Sequence, residues 1–156
     1  MAAPAITKVS TTVAGLPALQ GQSLGPSPWF RVTQADVNAY ADVSRDRNPI
    51  HLDPTVAARS PFGRTVAHGY LTLSLIVPLM AEVLEVTDMA TGMNYGLDRL
   101  RFPAPVPVGG HIRLRGEIVD TTPLEAGQQI SVAVTIEVEG SAKPACVAKM
   151  LLRYYR

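Results

Sequence analysis

The sequence predicts an α+β fold, with helices gathered in the first half of the chain and an antiparallel sheet in the second that curves around one of them. Three observations lead there. From residue 68 to about 85, Tyr70, Leu71, Leu73, Leu75, Ile76, Leu79, Met80, Val83 and Leu84 surround a helical axis. A helix so patterned is buried on nearly all sides. After Thr91 the apolar period changes to two, and strands are expected over 97–102, 112–119, 130–138 and 146–154. Turn formers separate them: 103–110, then Thr122-Pro123 with Gly127, then 140–144. A helix without a polar side needs a sheet wrapped about it, and helices segregated from an antiparallel sheet make an α+β arrangement.

Taken in order, residues 1–27 are rich in Ala, Gly, Pro, Ser and Thr without lasting periodicity. They read as an N-terminal arm or loose lead-in, with room for a short helix, and 28–156 as a single domain. A short strand is expected at 29–32. Thr33 caps the next helix, with Asp36 completing a capping-box pair. That helix turns Val37, Tyr40, Ala41 and Val43 to one side and ends near Ser44. Asp53-Pro54 starts a second helix, Asp as N-cap and Pro at the first position, running through Ala58. A loop at 60–64 follows. Pro78 removes one backbone hydrogen bond and kinks the long helix. The sheet leaves an edge strand exposed, and edge-to-edge pairing in a homodimer would cover it.

Composition narrows the function. Fourteen Lys and Arg against thirteen Asp and Glu leave almost no net charge, which argues against nucleic acid or a membrane surface as partner. Cys146 is the only cysteine, so no internal disulfide forms and a reducing, cytoplasmic setting is expected. Residues 1–5 lack the basic and apolar runs of a signal peptide, and the apolar stretch 70–80 is shorter than the ~20 residues that cross a bilayer.

The chemistry concentrates between Tyr40 and Ala57. Asp46 and His51 would face apart on a continuous helix, but Pro49 disfavours helical geometry at Asn48 and the next helix starts only at Asp53-Pro54. The segment between is a tight loop that aims Asp46, Asn48 and His51 into one small volume. A carboxylate and an imidazole converging on one water divide two proton transfers between them, and the Asn48 amide orients that water. A second element, Thr65-Val-Ala-His68-Gly69-Tyr70, opens the buried helix. The Gly69 N–H lacks an intrahelical partner and has no side chain to block a ligand carbonyl, so it can serve as an oxyanion hole.

These residues resemble the MaoC-like, (R)-specific enoyl-CoA hydratase family, NodN-like members included. Tyr40, Val43, Ser44, Asp46, Asn48, Pro49, Ile50, His51 and Ala57 match its signature; Arg45 departs from it, standing where Gly is preferred, where it narrows the pocket mouth or contacts a phosphate. His68-Gly69 and the segment 102–109 match later parts, and the likeness covers about 28–155. The resemblance implies a hot-dog fold, a homodimer, an acyl-CoA or acyl carrier protein-bound substrate, and neither metal nor organic cofactor. Asp46 and His51 would be the catalytic pair, Asn48 would hold the water, and the Gly69 N–H would face the thioester oxygen. The product would be a (3R)-3-hydroxyacyl-CoA.

His68, Tyr70, Arg99 and Arg101 complete the candidate set as substrate contacts, His68 chiefly as a residue fixing the loop. Arg113 and Arg115 are further candidates for the CoA phosphates. A metal held by Asp46, His51 and Asp53 is disfavoured, since Asp53 serves as an N-cap and the spacing matches no common zinc pattern. Ser74 sits inside a helix without a nucleophile motif, and Cys146 reads as a small core residue. A thioesterase on the same fold and a non-catalytic acyl-binding subunit are the competing functions.

Overall fold

The computed structural model describes residues 8–156; the 1–5 segment considered for a signal lies outside them. Eight strands and five α-helices follow in order: β1 (Val9–Thr11), β2 (Ser23–Leu24), β3 (Phe30–Arg31), α1 (Gln34–Ser44), α2 (Pro49–Leu52), α3 (Pro54–Ala58), α4 (Gly69–Ser74), α5 (Ile76–Ala81), β4 (Leu84–Val86), β5 (Thr91–Arg101), β6 (His111–Leu124), β7 (Gly127–Val138) and β8 (Cys146–Tyr155). The main sheet runs β2-β6-β7-β8-β5, with β3 also on β6, and all its pairs are antiparallel. Its inner face is the period-two set read from sequence: Ile130, Val132, Val134, Ile136 and Val138 of β7 are all buried. They pack against Ile76, Leu79 and Met80 of α5 in one core.

Three expectations are corrected. Residues 8–27 are not a loose lead-in. Val13, Leu16 and Leu24 are core residues, Leu16 within a turn of 3-10 helix at Leu16–Leu19, and β1 pairs in parallel with β4. Short segments with little periodicity show no helix or strand signal of their own, and partners far along the chain order them. The long helix is likewise two short ones. The break falls at Leu75, one turn before Pro78, whose missing N–H leaves the Ser74 carbonyl without its helical donor. The chain past Ala81 then turns into β4, since Leu84–Val86 are held by β1. Nor is this helix pair buried all round: Tyr70 is 64% and Val77 48% exposed.

The helix-cap signals act as read. Thr33 and Asp36 form a full capping box, and the Asp53 carboxylate accepts from the Thr55 and Val56 N–H groups. Val43 is the exception on α1, pointing outward and largely exposed. β6 runs on through Thr122-Pro123, so the hairpin turn is Glu125-Ala126. β5 is longer than expected and forms an edge bonded only to β8, with Met93, Tyr95 and Leu97 exposed. No helix among the described residues is long and apolar enough to cross a membrane.

Candidate active site

The loop between α1 and α3 is built by its own residues. α1 ends at Arg45, whose left-handed backbone (φ 66°, ψ 9°) turns the chain sharply while its N–H still bonds the Ala41 carbonyl. The Asp46 N–H donates to Ser44 Oγ at 3.2 Å, and Asp46 Oδ1 accepts from the Asn48 N–H at 3.3 Å. Asn48 has extended geometry, as Pro49 requires, and its side-chain oxygen caps the Ile50 N–H at 3.3 Å. The expected loop therefore contains one helical turn, α2, with Pro49 at its first position. That turn swings His51 inward, where only 8% of it is exposed.

His51 is held by a group the sequence could not point to. Its Nδ1 lies 2.6 Å from the Val66 carbonyl oxygen, and an oxygen acceptor requires a proton on that nitrogen. In the neutral ring, Nε2 then carries the lone pair and is free to take a proton. Val66 contributes only backbone here, so no side-chain pattern announces it.

Asp46, His51 and His68 each place a carboxylate oxygen or ring nitrogen within 4.8 Å of the others. The His51 and His68 rings stack at 3.8 Å with 32° between planes, and Tyr40 lies 4.9 Å from His68. This trio is a poor metal cage. It offers three donors, of which His68 Nδ1 is buried and the Asp46 carboxylate already accepts from the Asn48 N–H, whereas structural zinc takes four. Proton transfer suits it better. Burial holds the His68 imidazole below the usual histidine value against the opposing pull of the Asp46 carbonyl, and so keeps it neutral. Tyr40 is pushed up by burial first, then by the Asp46 and Tyr70 charges.

A cleft of about 290 Å³ opens beside His51 and Gly69, walled by Phe62, Thr72, Phe102 and the segment 103–106. Gly69 is the first residue of α4, ahead of the first intrahelical bond from the Thr72 N–H to the His68 carbonyl. A Cβ there would meet the Phe102 ring at 3.0–3.2 Å, so the glycine is what lets that ring close the cleft. Phe62 was not singled out from sequence; the Pro103-Ala-Pro-Val run was read as a turn and as part of the 102–109 segment matching the family, without a role in the site, and its prolines were the signal for a rigid wall.

His51 and Gly69 line the cleft; Asp46 and Asn48, both exposed on the loop, and the remaining candidates are not part of its lining. His68 is 2% exposed and sits beneath the pair rather than at the opening. Tyr70 stands edge-on to Phe102 at 6.0 Å. Arg99 and Arg101 are on the exposed β5 edge, Arg99 with φ 56° at an irregularity of the strand and Arg101 bonding the Leu100 carbonyl. Arg113 and Arg115 both pair with Glu137 through Nε, and Arg113 also covers Trp29 at 4.4 Å. Asp53 is occupied as an N-cap, Ser74 bonds back to the Tyr70 carbonyl, and Cys146 is buried.

Residues 16–142 match the MaoC like domain family. The chain is 46% identical over 144 residues to 3-hydroxyacyl-thioester dehydratase Z of Mycobacterium tuberculosis, covering 92% of this chain and 95% of that one. It is 39% identical to nodulation protein N of Rhizobium leguminosarum, over 90% and 89% of the two chains. Among solved structures it resembles the (R)-hydratase from A. caviae involved in PHA biosynthesis, with TM-score 0.70, 28% identity and coverage of 85% and 94%. With the antiparallel sheet, the Asp46–His51 loop and the glycine opening α4, the chain belongs to the MaoC-like dehydratase family and is a hydro-lyase on the hot-dog fold.

Proposed function

We propose that this protein adds water to a trans-2-enoyl-CoA to give a (3R)-3-hydroxyacyl-CoA, and runs the dehydration in reverse. The observation that carries the reading is the approach of the Asp46 carboxylate and a His51 ring nitrogen to within 4.8 Å, with His51 and the Gly69 amide on one cleft. A water between the two side chains donates one O–H to Asp46 and the other to His51 Nε2. The free amide N–H₂ of Asn48 can hold its oxygen. As that oxygen bonds C3, His51 takes a proton, and the thioester oxygen gains enolate charge that the Gly69 N–H stabilises. The proton returns to C2, so the pair ends as it began and one water has been added. No metal or organic cofactor enters these steps. α4 is only six residues long, so the local N–H matters more than a macrodipole.

The names of the relatives support the substrate class: one is a 3-hydroxyacyl-thioester dehydratase, and another, from Aeromonas caviae, an (R)-specific enoyl-CoA hydratase. The exposed edge of β5, with Met93, Tyr95 and Leu97, supports a homodimer joined there. Arg45, exposed beside Asp46 and without an ion pair among the described residues, would meet a phosphate of the carrier, whether CoA or acyl carrier protein, or narrow the pocket mouth. A cytoplasmic setting fits the lone buried cysteine.

The test is direct. Crotonyl-CoA should lose its enone absorbance on adding the protein, chiral analysis should find the 3R product, and Asp46→Asn should remove nearly all turnover without disturbing the dimer. Release of free thiol from a saturated acyl-CoA would instead make it a thioesterase, and binding of enoyl-CoA without turnover a non-catalytic subunit.

A further inference from the structure

The loop that carries Asp46 is held almost entirely from within. Arg45, Asp46, Arg47 and Asn48 are all exposed, and their hydrogen bonds reach no farther than Ala41 and Asp42 on one side and His51 on the other. Among the described residues one bond breaks this pattern: His68 Nε2 lies 3.0 Å from the Asp46 carbonyl oxygen, 22 residues away in sequence. The same ring packs on His51 at 3.8 Å and on Tyr40 at 4.9 Å, and its residue is the N-cap of α4, directly before Gly69. One buried side chain thus touches the backbone of the proposed acid–base aspartate, the face of the proposed imidazole and the start of the helix that presents the proposed oxyanion donor.

We propose that His68 is a positioning residue that pins the Asp46 loop from beneath and aligns it with His51, a role that rests on the hydration reading above. The geometry dictates its protonation. The Asp46 carbonyl requires a hydrogen on Nε2, and Nδ1 is buried with no partner, so a second proton there would be a donor without an acceptor. The neutral ring donates once, to the loop, and places no positive charge against His51. The groups facing it are Asp46, His51 and Tyr40, and its residual pull from Asp46 is outweighed by burial.

The pin matters because a misplacement of about 1 Å in a reacting group costs on the order of 10²-fold in rate. His68→Phe keeps the stacked ring and removes the donor; kcat for crotonyl-CoA should fall about 10²-fold while KM stays within about threefold. His68→Gln, which keeps a donor and loses the ring, should recover most of that loss. In an Asp46→Asn background, adding His68→Phe should cost less than about threefold, because both changes remove the same alignment. Hydrogen exchange gives an arm independent of turnover: in His68→Phe the Asn48 and His51 amides should exchange faster while β7 amides do not change. In the parent protein, imidazole ¹⁵N shifts should show His68 neutral at neutral pH with its hydrogen on Nε2.

Full additivity with Asp46→Asn, unchanged exchange in the loop, or a hydrogen on Nδ1 would each overturn the proposal. A parent protein that exchanges as expected yet turns over no enoyl-CoA would sink the hydration reading and leave His68 a structural pin only.

Discussion

Removing the His51 imidazole tests the proposed chemistry most severely, because the structure sets the expected loss in rate and in stability separately. In His51→Ala the acid–base partner is gone, and positioned general acid–base groups typically supply about 10²–10⁴-fold. kcat/KM should fall by that factor, equivalent to about 2.7–5.4 kcal/mol of transition-state stabilisation. Stability should fall as well. The substitution strands the Val66 carbonyl, now bonded at 2.6 Å, inside the protein. An unpaired buried acceptor costs about 1–3 kcal/mol. Losing the 3.8 Å stack on His68 adds roughly 0.5–1.5 kcal/mol. A domain of this size carries about 5–15 kcal/mol in total, so the variant should remain folded with Tm lowered by roughly 5–15 °C. Loss of crotonyl-CoA absorbance, followed below the melting midpoint found by circular dichroism, measures both effects. A folded variant that keeps activity within tenfold of the parent would refute the assignment of His51 to proton transfer.

Arg45→Gly should raise the unfolding free energy by about 1 kcal/mol, seen as a higher urea midpoint at constant m, because a glycine takes the φ of 66° without Cβ strain; a lower midpoint would mean that the arginine makes a contact worth more than that strain. Gly69→Ala should reduce kcat/KM roughly tenfold with little change in Tm, as the new Cβ pushes the Phe102 ring from 3.0–3.2 Å into the cleft; saturation kinetics on crotonyl-CoA will show it. His68, lowered from 6.5 by burial, gives the protein an acid weakness: below 6.5 the unfolded chain binds the extra proton, so stability present above that value is lost as pH falls through the folded-state one. Urea midpoints across that range should drop in the parent and drop less in His68→Phe. Burial pushes the Cys146 thiol up to about 11, so a thiol reagent at mildly alkaline pH should label it only after unfolding.

Much of this protein was legible in residue order because the forces involved are local. The caps at Thr33 and Asp53 act over three residues, Pro49 restricts only its neighbour, and the alternation along Ile130 to Val138 repeats whatever it packs against. The loop carrying Asp46 and His51 could be read for the same reason: its turn is made by its own side chains. What lay beyond reach was set between distant segments. That β1 would claim Leu84–Val86 from an apparent helix, and that Leu16 and Leu24 would be core, follow from partners dozens of residues away. The site divides along the same line. Local sequence pointed to the proposed acid–base pair, while the Val66 carbonyl that sets the His51 tautomer and the His68 ring that bonds the Asp46 backbone were decided by tertiary packing, since a backbone carbonyl carries no residue type and a contact across 22 residues leaves no periodic trace.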